Sequence, residues 1–378
     1  MKIGIDIRAL EGAQYGGVSE YIKNLLPSLF ETGSRHTFHL LANAYRRTLD
    51  YGTLFDYPHV SVHRFHYPNK FFTFACRYLN RPLCDKLVGG VDVFFSPHFL
   101  PAPLSAECRR VTTFHDIAFE YFPEFFDVKR RLWHAYISPR HQAQRPGSII
   151  AVSRSTRDDL VDSYALPLDK IQVVYSGLNK DILNQNISGW NRVKRIYKLP
   201  DRYILSLSTV EPRKNLIGLI RAFNVLAATN KSRGLALVIA GSYGWSYRST
   251  LKEAGNSKYR DRIIFTGSIK DFDKAHIYQH AEIFIYPSRY EGFGFPPLEA
   301  MYCGVPTLVS GFTSLPEVVD DGALLIDPYR PVEMAQVMGE VLTDKRFSDY
   351  LSERGKKRAQ QFSWRRTAQE TLRVLEGN

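Results

Sequence analysis

The chain has 378 residues, 44% of them hydrophobic, and its 50 Lys and Arg against 38 Asp and Glu give a formal charge of +12. That length exceeds one ordinary core, so two domains are expected, and the positive balance favours anionic partners: nucleotide phosphates, acidic lipid headgroups or nucleic acid. Cys76, Cys84, Cys108 and Cys303 are scattered without a CxxC pair, which argues against a disulfide framework or a zinc site and for reduced thiols. MKIGIDIRAL carries charges inside its apolar run and no later segment approaches a membrane span, so a cytoplasmic chain is expected.

In chain order, KIGIDIR reads as a strand, VSEYIKNLLPSLFE as a helix, HTFHLLA as a strand, and DVFFSP, RRVTTFHD and SIIAVS as later strands. NKDILNQNISGWNRVKRIYKLP has little periodicity and much polarity, which places a linker at 181–200 between a domain over 1–180 and another over 201–360. RYILSLS, LALVIAG, RIIFTG, EIFIYPS, PTLVS and ALLID then repeat the strand cycle, with LIGLIRAFNVLAAT as a helix. Strands alternating with helices specify an α/β fold of two Rossmann-like domains, with ligands beyond the C-terminal strand ends in a central cleft.

The residues that carry chemistry follow those strands. GAQYGGVSEYI sets Gly16 and Gly17 before a helix, where backbone N–H groups can approach a phosphate or sugar, or form a plain turn. RRVTTFHD leaves His115 and Asp116 at a strand end; a buried, satisfied histidine is the plainer reading. STVEPRKNLIGLI puts Arg213 and Lys214 at a helix start, suited to a diphosphate or simply solvated. GSYGW supplies Gly241 and Gly244 as turn residues. In RYEGFGFPPLEAMYCGVP, Glu291 precedes a Gly-aromatic-Gly loop, and Glu299 is expected on the first turn of a helix opened by Pro296 or Pro297. Glu299 there suits the helix dipole, whereas propensity gives little reason for Glu291; two carboxylates facing hydroxyls fit a sugar and a ribose. No metal set is visible: Asp271 or Asp273 reads as a helix N-cap, and His276 and His280 share a helical face without a third ligand.

In order, GGVSEY, FHD, AVSRST, EPRKN, YPSRYEGFGFPPLEAMYCGVP, SLPEVV and FSWRRTAQETL resemble the retaining glycosyltransferases of family 4 over essentially the whole chain, most closely bacterial mannosyltransferases. Glu291 and Glu299 match that family's paired glutamates. The resemblance implies the GT-B fold: an acceptor-binding N-terminal domain, a donor-binding C-terminal domain, and a helix over 361–378 packing back towards the N-terminal one. It assigns Glu299 to ribose hydroxyls, Glu291 to hydroxyls of the donor sugar, and the amides of Gly292, Phe293, Gly294 and Phe295 to sugar and diphosphate. Arg213 and Lys214 fall where the departing diphosphate is stabilised, with Ser208 and Gly241 in the same donor-binding loops. Gly16 and Gly17 fall where the other domain's backbone approaches the diphosphate, and His115 lines the sugar pocket. Many relatives carry Arg where this chain has Ser208, which leaves that task to Arg213.

The expected catalytic set is therefore Glu291, Lys214, Arg213 and His115, without metal or cofactor. The resemblance implies a front-face transfer, GDP-mannose as donor and a polyprenyl-diphosphate-linked saccharide of O-antigen or capsule assembly as acceptor. Residues 67–83 and 119–140 mix Phe, Tyr and Trp with Lys and Arg, either as core aromatics or as a surface for an anionic membrane, which would make the protein peripheral on the cytoplasmic face. The alternatives are another UDP- or GDP-linked donor, a GT-B epimerase or hydrolase, and a basic nucleic-acid-binding protein. Against the last, the cations are dispersed and no reader motif appears.

Overall fold

The computed structural model describes residues 1–10, 16–45, 51–184 and 189–377. Two compact units emerge: Met1–Tyr121, Val128–Gly177 and Ser363–Asn378 form the first, and Phe122–Asp127 with Leu178–Phe362 the second.

In the first unit, β1 (Lys2–Asp6), β2 (Thr37–Asn43), β3 (Val60–Phe65), β4 (Val93–Ser96), β5 (Arg109–Phe114), β6 (Ser148–Ala151) and β7 (Ile171–Val173) form one parallel sheet in the order β3-β2-β1-β4-β5-β6-β7. Ile3 aligns with Phe38 on one side and Val93 on the other, so the order reverses between β1 and β4. That reversal opens a crevice at the C-terminal strand ends. Strands β3 and β7 were not among the expected ones. β3 is a partly exposed edge strand and β7 has three residues, so neither carries a long apolar run.

The second unit repeats the plan with β8 (Arg202–Leu207), β9 (Leu235–Ala240), β10 (Ile263–Gly267), β11 (Ile283–Tyr286), β12 (Thr307–Ser310) and β13 (Leu324–Ile326), ordered β10-β9-β8-β11-β12-β13. LALVIA is buried throughout, as a parallel strand covered on both faces must be. Leu219, Ile220 and Phe223 of the helix Leu216–Ala227 join Leu237, Ile239, Met334 and Met338 in one core. Burying each such side chain contributes about 1.5–3 kcal/mol. The order reverses between β8 and β11.

Two sequence expectations change here. The stretch 181–200 is not a bare linker: the helices Lys180–Leu183 and Trp190–Tyr197 belong to the second unit, while residues 185–188 lie outside the described residues. Val193 and Tyr197 are buried and Trp190 stacks on His280 at 3.7 Å; the interspersed Arg192, Lys194 and Arg195 masked this pattern in the sequence. Phe122–Asp127, placed by chain order in the domain 1–180, joins the second unit instead. Phe126 stacks on Trp245 at 5.6 Å, Phe122 packs edge-on to Tyr290 at 5.8 Å, and Trp245 Nε1 donates to the Phe125 carbonyl. The helix Trp364–Glu376 lies in the first unit, where Thr367 Oγ1 donates to the Tyr175 carbonyl at 2.8 Å.

Candidate active site

Adjacent strands β8 and β11 deliver two loops to one point in the second unit. The first passes Ser208 and tightens into the 3-10 turn Pro212–Lys214; the second runs through Glu291 into the helix Phe295–Tyr302. Pro212 presets the turn, and Asn215, at φ 53°, ends it in the left-handed region that Asn tolerates better than most side chains. The Asn215 amide is fixed by donating to the Pro328 carbonyl at 2.7 Å.

At the meeting point, charges are interleaved. Lys214 Nζ donates to Glu291 at 2.5 Å and to the Tyr286 hydroxyl at 2.8 Å. Arg213 donates through Nη1 to Glu291 at 3.0 Å and to the Tyr290 carbonyl at 2.8 Å, and through Nε to Glu211 at 3.0 Å. Glu291 is positioned from behind as well: its N–H donates to Thr313 Oγ1, and Ser314 Oγ donates to its carbonyl. Burial alone would raise the Glu291 carboxyl, but Arg213 and then Lys214 overcome it and hold the group at about 2. Lys214 is pushed down by burial first and then by Arg213, with Glu291 and Glu211 opposing. The sequence placed Glu291 on a sugar and the two cations on a diphosphate; in the structure the three contact one another.

Glu299 stands just past the first turn of its helix rather than on it, because the helix begins at Phe295, ahead of Pro296 and Pro297, and its first turn holds no acid. It is therefore no dipole cap. Its carboxylate accepts from the Tyr278 hydroxyl at 2.7 Å and from Lys274 at 3.5 Å. Two glycines shape the surrounding loops. Gly294 sits at φ +100°, where an added Cβ would lie 2.7 Å from Leu315, and Gly241 at φ +133°, where it would lie 2.1 Å from the Ser208 carbonyl oxygen. The Ser208 hydroxyl is buried without a hydrogen-bond partner among the described residues. Gly292 and Phe293 are buried, Phe293 packing edge-on to Phe295 at 5.4 Å.

In the first unit, Gly17 opens the helix Gly17–Thr32 behind an extended Gly16; residues 11–15 of that loop lie outside the described residues. Tyr21 of this helix meets His115 edge-on at 4.8 Å, so the glycine loop and the histidine are brought together. His115 Nε2 donates to the Pro97 carbonyl at 2.7 Å, which leaves Nδ1 as the acceptor of a neutral ring. Burial lowers its pKa. His98, at the end of β4, lies 6.1 Å from His115 and is held at about 3 by burial, then by His115 and His134. A cavity of about 480 Å³ in this unit is lined by Lys2, Thr37, Asp92 and neighbours at the opposite, N-terminal strand ends, and holds none of these side chains.

The remaining sequence candidates resolve otherwise. Asp273 makes no side-chain cap; its carboxylate accepts from the Tyr197 hydroxyl at 2.9 Å and pairs with Arg192, while Asp271 pairs with Lys274 at 3.0 Å. His280 donates to the His276 carbonyl at 2.9 Å. Among the described residues no group of three His, Cys, Asp or Glu side chains is arranged to hold a metal ion. The sequence reading missed Tyr286, Tyr278, Lys274, Tyr21, His98 and Glu211; of these, Glu211 in EPRKN, Tyr286 at the head of YPSRYEG and Tyr21 at the end of GGVSEY stood in motifs that pointed to them.

Comparison with known proteins adds a second line of argument. Residues 15–182 match the description "Glycosyltransferase Family 4" and residues 191–358 "Glycosyl transferases group 1". The O-antigen chain mannosyltransferase B of Escherichia coli is 33% identical over 74% of this chain and 73% of its own. The serotype-specific mannosyltransferase WbdA of Escherichia coli is 32% identical over 62% of this chain but only 29% of its own length. Among solved structures, sucrose-phosphate synthase from Thermosynechococcus elongatus superposes with a TM-score of 0.78 at 17% identity, covering 100% of this chain and 98% of that one.

Proposed function

We propose a reaction for this chain from the premise that it belongs to the glycosyltransferases of family 4, with a group 1 domain and the GT-B fold. The reaction is transfer of mannose from GDP-mannose, with retention, to a polyprenyl-diphosphate-linked saccharide during assembly of a bacterial surface polysaccharide at the cytoplasmic face of the membrane. The mannosyl assignment is supported by the O-antigen mannosyltransferase named above. The observation that carries a nucleotide-sugar donor is the Arg213–Lys214–Glu291 cluster at the reversal between β8 and β11.

In this reading Arg213 and Lys214 face the diphosphate and neutralise the charge that develops as it departs. Glu291, ionised at neutral pH, keeps both cations ordered before the donor arrives, so little reorganisation remains for the transition state. Its carboxylate then accepts from hydroxyls of the donor sugar, and Glu299 from those of the ribose. The bond from C1 to the phosphate oxygen breaks, the acceptor oxygen bonds C1 on the same face, and the acceptor proton passes to the departing phosphate. His115, neutral with Nδ1 as acceptor, takes a hydrogen bond from the sugar. The half-buried Arg213 and the buried Lys214 supply the charge stabilisation without a metal.

The test is a thermal-shift panel of GDP-, UDP- and ADP-sugars, since a ligand that binds only the folded state raises the midpoint by mass action. The largest shift is expected for GDP-mannose. NMR of the product is expected to show the α anomer at a rate unchanged by EDTA; a β product or strong EDTA inhibition rejects the mechanism.

A further inference from the structure

Two helices of the first unit expose apolar side chains where a soluble fold places polar ones. The helix Asn69–Phe74 continues through Ala75–Leu79 and buries Phe72, Ala75 and Cys76, yet Phe71, Phe74 and Tyr78 recur at i, i+3 and i+7 on its open side, Phe71 with 62% of its surface exposed. The helix Val128–Ile137 buries only Ile137, and Val128, Leu132 and Trp133 are exposed, Leu132 to 65%. The helices form one surface. The Tyr78 and Tyr136 rings lie 6.0 Å apart, the Tyr136 hydroxyl donates to the Lys70 carbonyl at 3.4 Å, and Arg145 donates to Asn80 at 3.3 Å.

The charge along these two stretches has one sign. Residues 64–83 contain Arg64, Lys70, Arg77 and Arg81, residues 128–147 contain Lys129, Arg130, Arg131, Arg140 and Arg145, and neither stretch contains a carboxylate. In a chain with 38 acids, such exclusion beside exposed aromatics selects a partner that is both negatively charged and apolar a few ångströms down. A nucleic acid supplies the charge but no apolar layer for Phe71, Val128 and Leu132. A bilayer leaflet supplies both, with aromatic rings at headgroup depth and cations against the phosphates.

We propose that these paired helices are the surface by which the protein docks on an anionic lipid leaflet, with Phe71, Phe74, Tyr78, Leu132 and Trp133 entering the headgroup layer. This deepens the lipid-linked acceptor reading, but its test uses neither donor nor acceptor, so its failure leaves the reaction assignment standing. The full chain is floated with phosphatidylglycerol–phosphatidylcholine vesicles and with pure phosphatidylcholine vesicles. Wild type is expected to rise with the anionic vesicles and not with the neutral ones. Neutralising Lys70, Lys129 and Arg131 to Gln is expected to lower the partition coefficient about a hundredfold, at roughly fivefold, or ~1 kcal/mol, per cation. Phe71→Ser with Phe74→Ser and Leu132→Ser is expected to abolish flotation with the unfolding midpoint unchanged. Should that variant misfold, tryptophan emission decides: anionic vesicles shift it to the blue in wild type and not in Trp133→Phe. Wild type that stays down, folded variants that float like wild type, or equal binding to neutral vesicles overturns the proposal. So does a concentration-dependent dimer that the serine variant abolishes in protein that never floats, which assigns the surface to a second copy.

Discussion

Beyond β8 and β11 in the second unit, the buried Glu211, Lys214 and Glu291 and the half-buried Arg213 are joined in mutual ion pairs; beyond β4 and β5 in the first stand His98 and His115, half-buried and neutral. Burial acts on both groups but with different outcomes. The carboxylate of Glu291 stays ionised because two cations outweigh its desolvation, whereas no carboxylate outweighs it for His98. A charged cluster thus stands at the strand ends of one unit, and an uncharged, hydrogen-bonding histidine pair at those of the other. A charged diphosphate suits the first, and a neutral sugar suits the second.

Removing a cation should break this contrast most sharply. Lys214→Ala is expected to lower kcat about 10²- to 10³-fold, the ~2.7–4 kcal/mol typical of one lost electrostatic contact in a preorganised site, with circular dichroism unchanged. Near-normal turnover from folded protein would remove Lys214 from the mechanism. Glu299→Ala should act differently, raising the KM for the donor about tenfold to a hundredfold, as for a hydrogen bond to a charged group worth ~1.5–3 kcal/mol, while kcat falls less. An unchanged KM would detach Glu299 from the ribose.

How far the sequence revealed this site depended on where each residue stood. Glu291 stood out because it sits in a loop beyond an apolar strand, where propensity does not explain it, whereas Arg213, Lys214 and Glu299 had ordinary readings at helix starts and drew notice through the family resemblance. Tyr278 and Lys274 did not stand out, since KAHIYQ reads as an ordinary amphipathic helix and only the tertiary fold turns it towards Glu299. The pairing of Glu291 with both cations was equally hidden: it joins residues 77 and 78 positions apart in the chain. Two of the thirteen strands escaped the sequence reading as well, because the edge strand β3 half-exposes its side chains and β7 is too short to show a period. The six strands of the second unit all announced themselves as apolar runs, the central ones being buried on both faces.

The two clusters should also separate by pH. His98 has a folded pKa of about 3 against an ordinary value near 6.5, so the unfolded chain binds more protons between these values. Its stabilising contribution is complete above pH 6.5 and is lost progressively as pH falls towards 3. Glu291 follows the same sign over a lower window, complete above 4.5 and lost towards 2. Denaturation midpoints at pH 7, 5.5 and 4.5 should therefore fall in wild type through the histidine before the glutamate contributes. His98→Asn is expected to flatten the curve between pH 7 and 4.5; an unchanged slope would show that the histidine cluster is not what titrates.

The smallest effect should come from Tyr278, and it tests whether Glu299 needs to be held in place to bind. The Tyr278 ring is fully buried against Phe284, at 5.6 Å, so Tyr278→Phe keeps the packing and removes only the hydroxyl that donates to Glu299. Burial and then Glu299 push the phenol well above its ordinary pKa, so it remains a donor across the working range. Lys274 still reaches the other carboxylate oxygen in the variant. With Lys274 retained, the loss should stay below the ~1.5–3 kcal/mol of a full bond to a charged group, which predicts a donor KM raised by less than about tenfold with kcat unchanged. If kcat falls instead while KM holds, the hydroxyl acts on the transition state and Glu299 is not the simple ribose anchor assigned here. If neither changes, Lys274 alone positions the carboxylate, and the double variant with Lys274→Met should then show the KM effect that Tyr278→Phe lacks.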